Sequence, residues 1–310
     1  MLAMNKVWLI FWAAGLLLSG CTADRQMEKV TTMTAEDMLS PVLAIDITDQ
    51  GVMKISGLQG VQPFAVTEEK QVVLLGEAFV ARNGLPLGGR RLSQELSQSN
   101  KQPIIALVNG TAEALLAQSS TLEQWMPELR RADAELNSFH RYRENRLRDR
   151  FVPFVLSSGS SGKMVIQTAV MRGDKPSVVL NQEDIQLLSC IDGHKRISGL
   201  PMEGANGSTT IVNCRTQWSG NGDLKSPSIK AVVTVSMDGN QSMDAKSKAA
   251  AEGVLEQQLA RVIRQLQDQH IDPLDIGQVI RSQYRGVWTT DRWRSAFSRA
   301  EVHIDVRLNV

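Results

Sequence analysis

Residues 264–308 read RQLQDQHIDPLDIGQVIRSQYRGVWTTDRWRSAFSRAEVHIDVRL, and the fold class turns on them. Their first seven residues close a long run that opens at Asp244. Within that run Val254, Leu255, Leu259, Val262, Ile263 and Leu266 recur at helical spacing. One face of the helix is therefore apolar and packs against a sheet. The last residues, Val302 to Leu308, alternate as a strand does. Between the two lie a short helix and four aromatics, Tyr284, Trp288, Trp293 and Phe297. Such large rings serve burial, so they predict a small core that clamps the terminal strand onto the long helix, with an exposed interaction patch as the other reading.

Upstream, STTIVNCRTQWSG and PSIKAVVTVSMDG form a strand pair around the Gly/Asn/Asp turn at 220–223. KMVIQTAVMRGDKPSVVL (163–180) is a hairpin turning at Arg172-Gly173-Asp174-Lys175, and Asn181 caps the helix NQEDIQLLSCI. Residues 41–58 read as a second hairpin around Asp49-Gln50-Gly51. Val72–Leu75 and PIIALVNG (103–110) are buried strands. A helix follows each, one stopped by Gly84 and the other capped by Thr111. Residues 121–150 are charged and helical in pattern, and SSGSSG (157–162) is a loose segment. Strand pairs followed by isolated helices predict an α+β fold of successive mixed domains, with antiparallel sheets and packed helices.

The N-terminus tells where the chain works. Val7–Leu18 is apolar and uncharged, too short to span a bilayer but laid out as a secretory leader. LSGC (18–21) then looks like a lipobox, which predicts cleavage before Cys21 and a diacylglycerol on its thiol. The division expected is 1–20 signal peptide, 21–40 lipidated tether, 41–195 N-terminal domain and 196–310 C-terminal domain. Two cysteines remain in the mature chain, Cys190 and Cys214. An exported compartment permits a disulfide between them, and two buried free thiols are the equal alternative.

A net charge of +1 argues against a nucleic-acid binder. His140, His194, His270 and His303 are scattered, with no spacing for zinc, and no nucleophile elbow or phosphate loop is present. Asp192 beside His194 reads as a solvated turn rather than an acid–base pair. Asp46, Asp49 and Asp305 read as single carboxylates. No catalytic residue, cofactor or metal is expected. The arginine-rich stretch 141–150 reads first as a solvated helix face, with anionic headgroups or an acidic partner loop as its other readings.

Several motifs together resemble the Ger(x)C family, the lipoprotein C subunit of spore nutrient germinant receptors. They are Asp272-Pro273, Ile276-Gly277, Tyr284, Trp288, Trp293 and Phe297 ahead of the last strand. TAVMRGDKPSVVLNQEDIQLL, VVLLGEAFVARNGL, IALVNGTAEALL and the lipobox add to them, in the family's order. This sequence departs from the family in Thr22-Ala23 after the cysteine and in a shortened stretch between Gly57 and Gln71. The resemblance implies a non-catalytic lipoprotein on the outer face of the spore inner membrane, associated with integral-membrane A and B subunits. A stand-alone solute-binding or structural envelope lipoprotein is the alternative reading.

Overall fold

The computed structural model describes residues 40, 42–49, 53–57, 70–85, 103–118, 122–140, 149–158, 163–193, 197–198, 211–221, 224–237, 243–284 and 287–309. In chain order the elements are β1 (Val42–Ile47), β2 (Met53–Gly57), β3 (Val72–Gly76), α1 (Glu77–Asn83), β4 (Ile104–Val108), α2 (Ala112–Leu116), α3 (Leu122–His140), β5 (Arg150–Ser158), β6 (Lys163–Arg172), β7 (Lys175–Leu180) and α4 (Gln182–Ile191). Then come β8 (Ile197–Ser198), β9 (Ile211–Asn221), β10 (Ser228–Met237), α5 (Ala245–Asp268), α6 (Gln278–Arg281), a 3-10 turn (Ser282–Tyr284), α7 (Thr290–Phe297) and β11 (Glu301–Asn309).

The expected α+β architecture is present, built on two mixed sheets. The first has seven strands in the order β2-β1-β3-β4-β5-β6-β7. Its two ends are hairpins, β1–β2 and β5–β6–β7, which pair antiparallel. Its middle, β1–β3–β4–β5, pairs parallel. Strands buried on both faces read as continuous apolar runs, as VVLLG of β3 and IIALV of β4 do. One face, with Val42, Val72, Leu74 and Ala106, packs under α2 and α3. The other, with Leu43, Ile45, Val73 and Leu75, packs under Phe79 and Val80 of α1.

The second sheet has the order β11-β10-β9-β8. The β9–β10 pair is antiparallel, whereas the terminal strand runs parallel to β10 along nine residues, from Ser228↔Glu301 to Ser236↔Asn309. Helix α5 turns Leu255, Leu259, Val262, Ile263 and Leu266 into the core beneath this sheet. That core does not stop at the second sheet. It takes in Leu136 and Phe139 from α3, Phe151 from β5, Val170 from β6 and Leu180 from β7. One apolar body thus joins the end of the first sheet to the second.

Helix starts follow local chemistry. The Asn181 side chain accepts from the Asp184 N–H at 2.8 Å while Asp184 accepts from the Asn181 N–H, a reciprocal capping box. Asp244 accepts from Lys246 and Ser247, and Thr289 from Arg292. Helix α1 ends at Gly84, whose φ of 72° is left-handed and suits glycine.

Candidate functional site

The C-terminal residues that carried the family resemblance, from Asp272 to Phe297, converge on one corner, between the end of α5 and the start of β11. Asp272 is its hub and is fully buried. One carboxylate oxygen accepts from the Ile276 N–H at 2.9 Å. The other accepts from the Gly277 N–H at 3.0 Å and from the Trp293 indole N–H at 2.8 Å. The Asp272 N–H in turn donates to Asp149 at 3.1 Å, and the second Asp149 oxygen takes the Arg294 guanidinium at 2.6 Å. Asp149 is itself fully buried and stands one residue ahead of β5. The corner is therefore stitched to the first sheet through charge-assisted bonds.

Close packing explains the glycine. A Cβ on Gly277 would stand 2.5 Å from the Trp293 ring. Trp293 lies between Trp288, stacked at 5.2 Å, and Phe297 at 5.5 Å. Trp293 and Phe297 are fully buried, so the four aromatics form the core that the sequence predicts. Gln267 of α5 donates to the Phe297 and Ala300 carbonyls, both at 2.8 Å, and so ties the helix to the chain entering β11. Burial pushes the Asp272 carboxyl up to about 7, against the pull of its three N–H donors and with the help of nearby Asp275.

The other singled-out residues lie apart. Cys190 at the end of α4 and Cys214 in β9 form a disulfide, with Cα atoms 5.1 Å apart and both residues buried. Asp46, at the end of β1, accepts from the Ala112 and Glu113 N–H groups at 2.9 and 2.8 Å, holding the first turn of α2. A side chain at Gly76 would collide with that carboxylate. Asp305 accepts from Arg307 and faces Lys230 at 3.5 Å, which holds it below the usual carboxylate range. Asp49 closes the described part of the turn after β1. His303 is exposed, 3.1 Å from Glu301, and His270 follows α5 in an exposed turn, while His140 ends α3. Among the described residues no group of three or more His, Cys, Asp or Glu side chains is placed to hold a metal ion. Cys21, the leader, the stretch 141–148, His194 and the core of the loose segment, 159–162, lie outside the described residues.

Sequence reasoning missed Asp272 and Asp149 as a linked pair, although Asp272 stood in the quoted motif. The signal was the Asp-Pro before Ile-Gly, which places a carboxylate over the backbone donors four and five residues on.

Comparison with known proteins accords with this corner. Residues 166–310 match the family described as spore germination B3/GerAC like, C-terminal. The crystal structure of the GerBC protein is similar to this chain, with 16% sequence identity and a TM-score of 0.55, over 86% of this chain and 96% of that one. No curated protein matches. The matched stretch runs from within β6 through β11 and contains the disulfide, the Asp272 hub and the aromatic core. Residues 166–310 are thus similar to the C-terminal region of spore germination B3/GerAC-like proteins, and the fold of the chain is similar to that of GerBC.

Proposed function

We propose that this protein is a membrane-anchored, non-catalytic subunit of a spore germinant receptor. In this reading a diacylglycerol on Cys21 holds it to the outer face of the spore inner membrane, where it associates with the integral-membrane A and B subunits. The observation that carries the reading is the family match over residues 166–310. Two further features support it. No described helix is long and apolar enough to cross a membrane, and the lipobox reading gives an attachment that needs no such helix. The Asp272 carboxylate is taken up by two backbone N–H groups and an indole, and the Asp272 N–H by Asp149, which suits a scaffold. We propose also that the chain divides near residue 195, where it passes from the first sheet to the second.

A lipid anchor confines the globular part to a thin layer above the bilayer. That raises the effective concentration for embedded neighbours, so weak contacts suffice for assembly. The test is purification from detergent-solubilised spores with a tag at the C-terminus. A multi-helix membrane protein and a transporter-like membrane protein are expected to come down with it. Recovery of the chain alone, from spores that contain both, would refute the receptor reading.

A further inference from the structure

The outer strand of the second sheet is sealed along only half its length. Strand β11 pairs with β10 on one side, and alternate residues point their N–H groups away from that partner. Val306 and Leu308 belong to the outward set, because their N–H groups donate to Glu256 at 3.0 Å and to Glu252 at 2.8 Å. Both glutamates stand on α5. Four residues of helix advance about 6.0 Å and two residues of strand about 6.6 Å, so helix and strand run in step. The next positions on that helix face are Ala260 and Arg264, and the next outward N–H groups are those of Ile304 and Val302. Neither alanine nor arginine has a side-chain acceptor. The series of caps therefore ends.

An open cleft of about 460 Å³ begins where it ends, lined by Ala260, Arg264, Gln267, Glu301, Val302 and His303 among others. Among the described residues nothing accepts from the Val302 and Ile304 N–H groups on this side. Arg264 is exposed and makes no ion pair among the described residues. The cleft thus offers backbone groups at strand spacing beside an uncommitted cation. A bare strand edge is a template for another chain.

We propose that this cleft is a docking slot for one extended segment of a partner protein, which adds to β11 as a short outer strand along Val302–Ile304 and sets an acidic side chain against Arg264. Main-chain bonds would supply the affinity and Arg264 the preference for acid. The inference stands on the edge geometry and does not depend on the receptor assignment.

The test reads amide hydrogen exchange residue by residue on the purified full chain. In the chain alone the Val302 and Ile304 amides should exchange about tenfold or more faster than those of Val306 and Leu308. A short blocked peptide with glutamate between two valines, at millimolar concentration, should slow the first two about tenfold. The same peptide with lysine in place of glutamate should do less, and Arg264→Ala should erase that difference. Ala260→Glu extends the capping series to Ile304, so it should abolish the peptide effect without lowering the melting temperature. Equal protection of all four amides in the chain alone overturns the proposal. So does a peptide that changes nothing, or a peptide effect that survives Ala260→Glu. Protection that rises with protein concentration in the absence of peptide would put a second copy in the slot, which also overturns it.

Discussion

Asp272 shows how one side chain can carry a chain reversal. Its carboxylate gathers two backbone N–H groups and the Trp293 indole, which stands 21 residues later in sequence. Removing it leaves three buried donors without an acceptor, at roughly 1–3 kcal/mol for each. Its titration makes the same point. Burial raises the folded carboxyl from 3.8 to about 7. Between those values the folded chain holds a proton that the unfolded chain has released, so stability falls as pH rises through this window and is level beyond it. Asp272→Asn, which does not titrate, should flatten that slope. Melting temperatures taken at steps from pH 4 to pH 8 would check this, and an unchanged slope in the variant would assign the titration elsewhere. Asp149 is the second such residue, and it was hidden from sequence reading. It stands at the end of an arginine-rich stretch, and its partners, Arg294 and the Asp272 N–H, lie more than a hundred residues away.

At the scale of elements, what could be read locally was read well. The hairpin at Arg172–Lys175, the Asn181 cap on α4 and the apolar stripe of α5 are encoded within a few residues of themselves. Strand neighbours are not. Nothing in VVLLG or IIALV says that β3 and β4 pair parallel, because a strand buried on both faces has lost the alternation that marks a side. Strand β5 was not read as a strand at all, lying between a charged run and a serine-glycine segment. The parallel seating of β11 on β10 depends on helices that intervene between them. The disulfide also acts between elements, joining α4 to β9 across 24 residues of chain. Closing a loop of that length contributes about 3 kcal/mol in the chain-entropy account. The double variant Cys190→Ala, Cys214→Ala should therefore melt well below the parent in chemical denaturation, and the parent should shift likewise when unfolded with a reductant present. The Arg261–Asp184 ion pair nearby matters less. Its arginine is half exposed, and water screens the pair to about 1 kcal/mol or below.

For the whole molecule the question is where it is held. If Cys21 carries the anchor, Cys21→Ala should leave the precursor unprocessed and move the protein out of the membrane fraction. Fractionation with immunodetection would show this, and a variant that still pellets with membranes would show that something else holds the chain. The family motifs were legible because each is a short run of defined residues. The partner surface was not. A strand edge is assembled from β11 and α5 together, and its open half shows only when Glu252, Glu256, Ala260 and Arg264 are set in register against the strand.

The apolar body shared by both sheets has a bearing on how such chains can be cut and recombined. Leu136, Phe139, Phe151, Val170 and Leu180 lie ahead of residue 195, and their packing partners on α5, β9 and β10 lie after it. A fragment spanning 196–310 would present that seam to water and lose one half of its disulfide. We expect it to collect in inclusion bodies, whereas the uncut chain is recovered folded. The two halves are then heritable only as a pair: swapping one for a relative's would demand a matching seam as well as a matching linker.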